Sequence, residues 1–337
     1  MTDEGNGIAI VNMAKRITNK IVDFINLSTI VDSPQWARDL VNLGVTRSDL
    51  EKSDRKGSIN ISSLNITIDR KKHGFVLDVL SYARNLQDHC KASFRIDDNG
   101  QLVADIGGIH ALLSNSGDLM TLEDVFLKNE YDLTLTGPSV IMDVGMNVGY
   151  AALFFARDQN VVVYGYEPFK TTYTLALKNI DLNNEMKGRI KPNQYGLAGS
   201  TRRMDVPYSF ELNRSAGIFG LARDATPRGS RVHDDTMEQI QLVDATEEVR
   251  KVKGEFPNHD MILKLDCEGA EYEIVDSLYR SGELRRIKAL LVEYHLRSPD
   301  NNPEDIARKC EAAGFIVGLR RTRDPTGSLF AIKVRSG

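Results

Sequence analysis

Two stretches of this 337-residue sequence place polar and acidic side chains at the ends of apolar runs, where α/β proteins do their chemistry. The first is Val140-Ile141-Met142-Asp143-Val144-Gly145-Met146-Asn147-Val148-Gly149-Tyr150, continued directly by Ala151-Ala152-Leu153-Phe154-Phe155-Ala156. An apolar strand that turns through glycines into a helix lets the main chain and a helix N-terminus approach a ligand closely. Glu167 follows about eighteen residues after Gly149, at the end of the next apolar run, where a carboxylate can accept hydrogen bonds from both ribose hydroxyls of an adenosine. The dinucleotide fingerprint is Gly-x-Gly-x-x-Gly, whereas this loop reads Asp-x-Gly-x-Asn-x-Gly, a poor cradle for a pyrophosphate. Asp143 is unwelcome beside phosphates but suits the amino group of a methionine moiety, which points to S-adenosylmethionine.

The second stretch is Met261-Ile262-Leu263-Lys264-Leu265-Asp266-Cys267-Glu268-Gly269-Ala270-Glu271, followed by the run Leu290-Leu291-Val292-Glu293-Tyr294-His295. Strand alternation predicts Asp266 and Glu268 on one face with Cys267 on the other, and Glu293 and His295 sharing a face. If the two strands are neighbours, three carboxylates and an imidazole converge beside the ligand crevice. Transfer of a methyl group from a sulfonium asks the protein for orientation and for activation of the nucleophile. A hydroxyl is a weak nucleophile, and a positioned base contributes about 10²–10⁴-fold. His295 is the leading candidate, because an unperturbed imidazole titrates at about pH 6.5 and is neutral at work; Asp266, with Glu268 beside it, is the alternative. Asp266, Glu268 and Glu293 also form an oxygen set suited to Mg²⁺, which lowers the pKa of a bound hydroxyl. In the plainer reading, Asp266 and Glu268 cap the following helix, Glu271 is a first-turn helix charge, and His233, Asp234 and Asp235 belong to a solvated loop.

The elements that must position these groups are legible as periodicities. Apolar strands are predicted at 140–144, 161–166, 261–265, 289–292, 315–319 and 329–334, with helices at about 150–157, 171–183, 270–280 and 303–313. Short apolar strands alternating with amphipathic helices predict a doubly wound, mostly parallel sheet covered on both faces. Arg320 to Gly327 is too short for a crossover, so the last two strands should pair antiparallel at one edge. Ahead of this, helical spacing covers Ile8–Ile30, Trp36–Leu43 and Phe75–Leu86, alternation covers Ile59–Ile68, and Asn99-Gly100 predicts a hairpin. The turn-rich Ser114–Asp118 places a boundary between a small mixed α/β unit, 1–115, and the catalytic unit, 116–337.

These motifs resemble the FkbM family of methyltransferases over about Leu119 to Lys333, through the loop Met142–Tyr150, Tyr166-Glu167-Pro168, the run Lys264–Glu271 and Val292–His295. The Lys-x-Asp-x-Glu-Gly-x-Glu run is the most specific part. The resemblance implies a seven-stranded Rossmann-like methyltransferase fold, S-adenosylmethionine as donor, and O-methylation of polyketide, sugar or related small-molecule hydroxyls. It also implies cofactor contacts at Asp143, Gly145, Met146, Asn147, Gly149, Tyr150, Glu167, Pro168 and Asp266, with the Asp266–Glu268 turn facing the methyl group. Family patterns often carry Ala where Met146 stands, a bulkier choice that narrows the loop.

Bulk composition narrows the partners. The chain is 41% hydrophobic and 27% charged, the balance of a folded globular protein, and its formal net charge of -4 is far from the basic footprint of a nucleic-acid binder. Three distant cysteines without a Cys-x-x-Cys pair, no signal-like N-terminus and no membrane-length apolar run lead to the expectation of a cytoplasmic protein. Between Gly199 and Asp235, Arg202, Arg203, Arg214, Arg223, Arg228 and Arg231 suggest either a lid for an anionic acceptor or a solvated loop. Two other functions stay open at this level: an NAD-dependent oxidoreductase, and a non-catalytic module that keeps the fold for binding.

Overall fold

The computed structural model describes residues 3–209, 216–217, 220–221, 236–322 and 325–333, and of the first helix it describes the side chains of Met13 and of Lys15 onward. The chain forms two compact units, Met1–Lys128 and Asn129–Gly337.

The N-terminal unit opens with the helix Asp3–Val31, which buries Leu27 and Val31 and leaves Met13, Ile17, Ile21 and Ile25 exposed. Ser33 caps the next helix, Pro34–Asn42, through its hydroxyl oxygen on the Trp36 amide, with Pro34 in the first turn where its missing N–H costs nothing. The alternating stretch 59–68 is a hairpin of Ser58–Ile61 and Ile66–Asp69 rather than one strand, because Asn65 takes a left-handed φ of 54° and reverses the chain. Ser93–Ile96, Leu102–Ile106 and Ile109–Leu113 form a second antiparallel sheet, with Gly100 at φ 70° in the turn foreseen at Asn99-Gly100. Ser114–Asp118 begins a helix instead of a linker. Asn115 and Asp118 make a reciprocal capping box on Ser116–Leu122, and the turn that follows is tied back by Asn85 Nδ2 to Glu123 at 2.7 Å. The division between units therefore falls after Lys128.

The C-terminal unit is built on seven strands: β1 (Ser139–Val144), β2 (Val161–Tyr166), β3 (Ile190–Asn193), β4 (Asp260–Leu265), β5 (Ala289–His295), β6 (Ile316–Arg321) and β7 (Thr326–Ile332), in the order β6-β7-β5-β4-β1-β2-β3. All pairings among β5, β4, β1, β2 and β3 are parallel. β7 runs against both β5 and β6, so the reversed strand foreseen at the sheet edge lies one place inside it and β6 is outermost. β3 escapes the periodicity argument because it is short and holds Lys191 and Pro192. Proline is tolerated there because the strand lies on an edge.

Helices α1 (Tyr150–Phe155), α2 (Lys170–Leu182), α3 (Ala245–Glu255), α4 (Glu271–Ser281) and α5 (Pro303–Ala312) connect and cover these strands. The core joins the central strands to α3, α4 and α5 through Val249, Ile274, Leu278 and Ile306. Successive strands run outward from β1 to β3 in one direction and from β4 to β5 in the other. That reversal opens a crevice outside the carboxyl ends of β1 and β4. A smaller sheet of Gly196–Ala198, Arg202–Tyr208 and Thr236–Asp244 belongs to the same unit. Among the described residues no helix is long and apolar enough to cross a membrane.

Candidate active site

The register of β4 against β1 sets Lys264 beside Asp143, and the two side chains meet with Nζ 2.9 Å from Oδ1. Both are buried. The same ammonium donates to the Gly145 carbonyl at 2.9 Å and lies 5.4 Å from the Tyr131 ring centroid. Burial works against the charge on Lys264, but Asp143 and Asp266 hold it protonated well above the ordinary lysine range. Asp143, foreseen as the partner of a ligand's amino group, thus has its charge matched from within the protein. It fastens the loop to the neighbouring strand.

Gly145 has φ 78°, and a Cβ there would sit 1.7 Å from the Asp266 carbonyl oxygen, so only glycine allows the two loops to touch main chain to main chain. Asn147, also left-handed at φ 51°, donates its amide to Glu167 Oε2 at 3.0 Å, and Glu167 Oε1 accepts from the Phe169 amide at 2.9 Å. Burial raises the Glu167 carboxyl to about 7 against the opposing pull of those amides and of Lys264. The buried side-chain oxygen of Asn147 has no hydrogen-bond partner among the described residues. Gly149 starts α1, and Asn179 Nδ2 holds the Val148 carbonyl at 2.8 Å. Met146 does not narrow the loop as foreseen: it is buried, and its sulfur fills the space left by the absent side chain of Gly165 on β2. Tyr150 is buried in α1, and Pro168 packs toward Gly196.

At the second position β4 ends at Leu265, and Glu268 and Gly269 follow with φ of 55° and 113°. Alternation therefore does not carry past the strand. A tight turn, rather than a shared strand face, brings Asp266 and Glu268 together. The Asp266 amide donates to the Val144 carbonyl at 3.1 Å, tying this turn to β1. Neither Asp266 nor Glu268 caps α4, which has no side-chain cap at its preceding residue. The turn is held by Glu271, whose Oε1 accepts from the Cys267 amide and Oε2 from the Gly269 amide, each at 2.9 Å.

His295, at the end of β5, is buried among four carboxylates. Its Nδ1 is 3.1 Å from Glu271 Oε1, and its Nε2 lies 3.5 Å from Glu268, 3.9 Å from Glu293 and 4.0 Å from Asp266. Burial alone lowers an imidazole's pKa, but the hydrogen bond and charge of Glu271, with the charges of Asp266 and Glu293, raise it to about 9. The imidazole foreseen as neutral at pH 7 therefore carries its proton there, and it ranks as a strong base once that proton is lost. Arg297 pairs with Glu268, and the Tyr131 hydroxyl donates to Asp266 Oδ2 at 3.3 Å.

Among the described residues no group of three or more His, Cys, Asp or Glu side chains is arranged to hold a metal ion. The Mg²⁺ set of Asp266, Glu268 and Glu293 is corrected accordingly: Arg297, Lys264 and His295 already supply the positive charge that a divalent ion would bring. Arg202 is paired with Glu273 of α4 and Arg203 is exposed. Arg214, Arg223, Arg228 and Arg231, with His233, Asp234 and Asp235, lie outside the described residues.

Tyr131, Lys264 and Arg297 carried no assigned role in the sequence, and Glu271 was read there only as a first-turn helix charge. Only Lys264 advertises itself, as a charge in the middle of an apolar strand that must be paired if buried. Tyr131 reaches Asp266 from a segment without a motif.

A Rossmann-like sheet of seven strands, with a glycine turn after β1, an acid after β2 and an acidic turn after β4, is the architecture of a methyltransferase. Residues 143–317 match the model of the Methyltransferase FkbM domain, more than half of the chain, and the protein belongs to the FkbM methyltransferase family. No curated protein matches its sequence significantly. Among solved structures it is similar to the methyltransferase FkbM from Methylobacillus flagellatus KT, at 14% identity and a TM-score of 0.38, over 59% of this chain and 45% of that one. It is similar to an O-methyltransferase family protein from Burkholderia thailandensis, at 14% identity and a TM-score of 0.36, over 66% and 59% of the two chains. It is also similar to magnesium protoporphyrin IX methyltransferase from Synechocystis PCC 6803, a structure with bound SAM, at 13% identity and a TM-score of 0.34, over 64% and 79%. The match spans less than half of the Methylobacillus chain.

Proposed function

We propose that this chain is an S-adenosylmethionine-dependent O-methyltransferase whose acceptor is a hydroxyl on a sugar, polyketide or other small molecule. The observation that carries the reading is the pairing of buried Glu167 with the Asn147 amide after β1, beside an Asn147 side-chain oxygen with no hydrogen-bond partner among the described residues. A buried orphan acceptor next to a carboxylate and a glycine turn is the acceptor set that the hydroxyls and amino group of an adenosine with an attached amino acid would complete. Asn147 and Glu167 would hold that nucleoside, with Gly145 and Gly149 granting close approach. S-adenosylmethionine supplies, when bound, a methyl group on a positively charged sulfur.

The chain's own contribution lies in orientation and in taking up a proton. Asp266 and Glu293, with side chains 28% and 30% exposed, are the most accessible of the carboxylates around His295 and would orient the acceptor hydroxyl. In the fraction of molecules whose imidazole has lost its proton, Nε2 of His295 takes the hydroxyl proton, with Asp266 as the alternative acceptor. Membership of a methyltransferase family removes the ground for the oxidoreductase reading.

The test begins with thermal unfolding in the presence of S-adenosylhomocysteine or NAD. Ligand at a hundredfold its Kd stabilises by about 2.7 kcal/mol, and the shift is expected with the former only and is lost in Glu167→Ala. Transfer of a labelled methyl group to a panel of hydroxylated small molecules then follows. His295→Ala should keep S-adenosylhomocysteine binding and lose transfer. An unmoved melting curve with S-adenosylhomocysteine overturns the donor assignment; binding without transfer to any acceptor favours the non-catalytic alternative.

A further inference from the structure

Glu271 makes more contacts at the site than a helix charge needs. Its side chain is 0% exposed, and its two oxygens serve three donors on two different elements: the amides of Cys267 and Gly269 in the turn after β4, and Nδ1 of His295 at the end of β5. An ionised carboxylate is acceptor-only, so the ring nitrogen it meets must carry a hydrogen. Among the described residues, the other acidic groups paired with the ring, Asp266 and Glu268 from the turn and Glu293 from β5, lie toward Nε2.

We infer that Glu271 is the positioning residue of His295, fixing its hydrogen on Nδ1 so that Nε2 is the nitrogen presented to the acceptor. This deepens the O-methyltransferase reading and rests on it for the identity of the acceptor, but the tautomer itself is a property of the free protein. The same carboxylate that shapes the Asp266–Glu268 turn aims the base of the neighbouring strand, so the two halves of the acceptor site are set by one side chain. Neutral imidazole has two tautomers, and only the one with a bare Nε2 can take a proton from the open side. A neighbouring carboxylate is the usual device for choosing between them.

The experiment is nitrogen NMR on the full chain labelled with ¹⁵N-histidine, with His295→Asn identifying the His295 signals among the six histidines. At a pH above its titration, wild-type His295 should show a protonated Nδ1 and a bare Nε2. In Glu271→Gln the amide cannot accept all three hydrogen bonds, and the opposite tautomer should appear. With S-adenosylhomocysteine as the probe, the variant should bind within about threefold of wild type, and once an acceptor is in hand its kcat should fall about 10²-fold or more with KM little changed. A wild-type ring protonated on Nε2, or a Glu271→Gln spectrum with the wild-type tautomer, overturns the inference. If Glu271→Gln does not fold, the wild-type spectrum alone decides. Failure of the folded wild-type protein to bind S-adenosylhomocysteine defeats the donor assignment and leaves the tautomer result standing.

Discussion

The turn after β1 and the turn after β4 face the same crevice, touch main chain to main chain at Gly145 and Asp266, and are held in opposite ways. The first is a backbone construction: left-handed residues at Gly145, Asn147 and Gly149, with one buried ion pair beneath and its amide on Glu167. The second is a side-chain construction, in which Glu268, Glu271, His295 and Arg297 balance one another by charge. A site made mostly from main chain suits a ligand that is always the same, since its backbone geometry does not depend on flexible side chains. A site made from titrating side chains can move a proton. On the proposed function, the donor belongs to the first turn and the acceptor chemistry to the second.

The strongest way to break that contrast is to unpair the buried ion pair beneath the first turn. Lys264→Met strands Asp143 in the interior and should cost about 3–5 kcal/mol in denaturant unfolding. Adding Asp143→Asn should recover part of that loss, and a single-variant cost below about 1 kcal/mol would mean the pair is not what fastens the loop. Next comes Gly145→Ala, which drives a methyl group into the Asp266 carbonyl; about 2–3 kcal/mol of stability and all S-adenosylhomocysteine binding should be lost, read by melting and calorimetry.

The second turn is sharpened by pH. The His295 pKa is raised from an unfolded value of about 6.5 to about 9, so its contribution to stability is complete below the former and lost as pH climbs through the latter. Denaturant unfolding across that window should show a fall on the order of 2 kcal/mol in wild type that flattens in His295→Asn. The smallest effect belongs to Glu167. With its carboxyl at about 7, donation from ligand hydroxyls favours the ionised form, so S-adenosylhomocysteine should bind more tightly as pH rises through neutrality. Glu167→Gln should bind about tenfold more weakly, roughly 1.4 kcal/mol, with no such pH dependence by calorimetry.

Local chemistry explains what could be seen in the sequence. Strands β1, β2, β4 and β5 announce themselves because a strand buried on both faces is a near-continuous apolar run, and Gly145, Asn147, Gly149 and Glu167 fall at its punctuation. β3, with a lysine and an edge proline, has no such signature. The roles inside the crevice were harder to read, since they depend on which side chains meet across strands. Asp143 looked like a ligand group until the β4 register put Lys264 against it. Glu271 looked like a helix charge until the turn brought it to His295. Alternation brought Glu268 to Asp266 for the wrong reason, since it holds only while the strand lasts and a turn brings the two together. In the N-terminal unit the helical spacing of Ile17, Ile21 and Ile25 was correct as a helix, yet those residues are exposed, since periodicity reports a stripe and not what covers it.

The ammonium that supports the glycine turn belongs to a residue 119 positions further along the chain. A nascent chain that has not yet emitted β4 can form the turn's covalent sequence but leaves the Asp143 carboxylate and the Gly145 carbonyl unanswered. The turn's support is thus a product of distant chain closure. A nucleoside that binds the turn acts as a latch on the finished sheet, and its affinity becomes a gauge of how much of the population has reached the native topology.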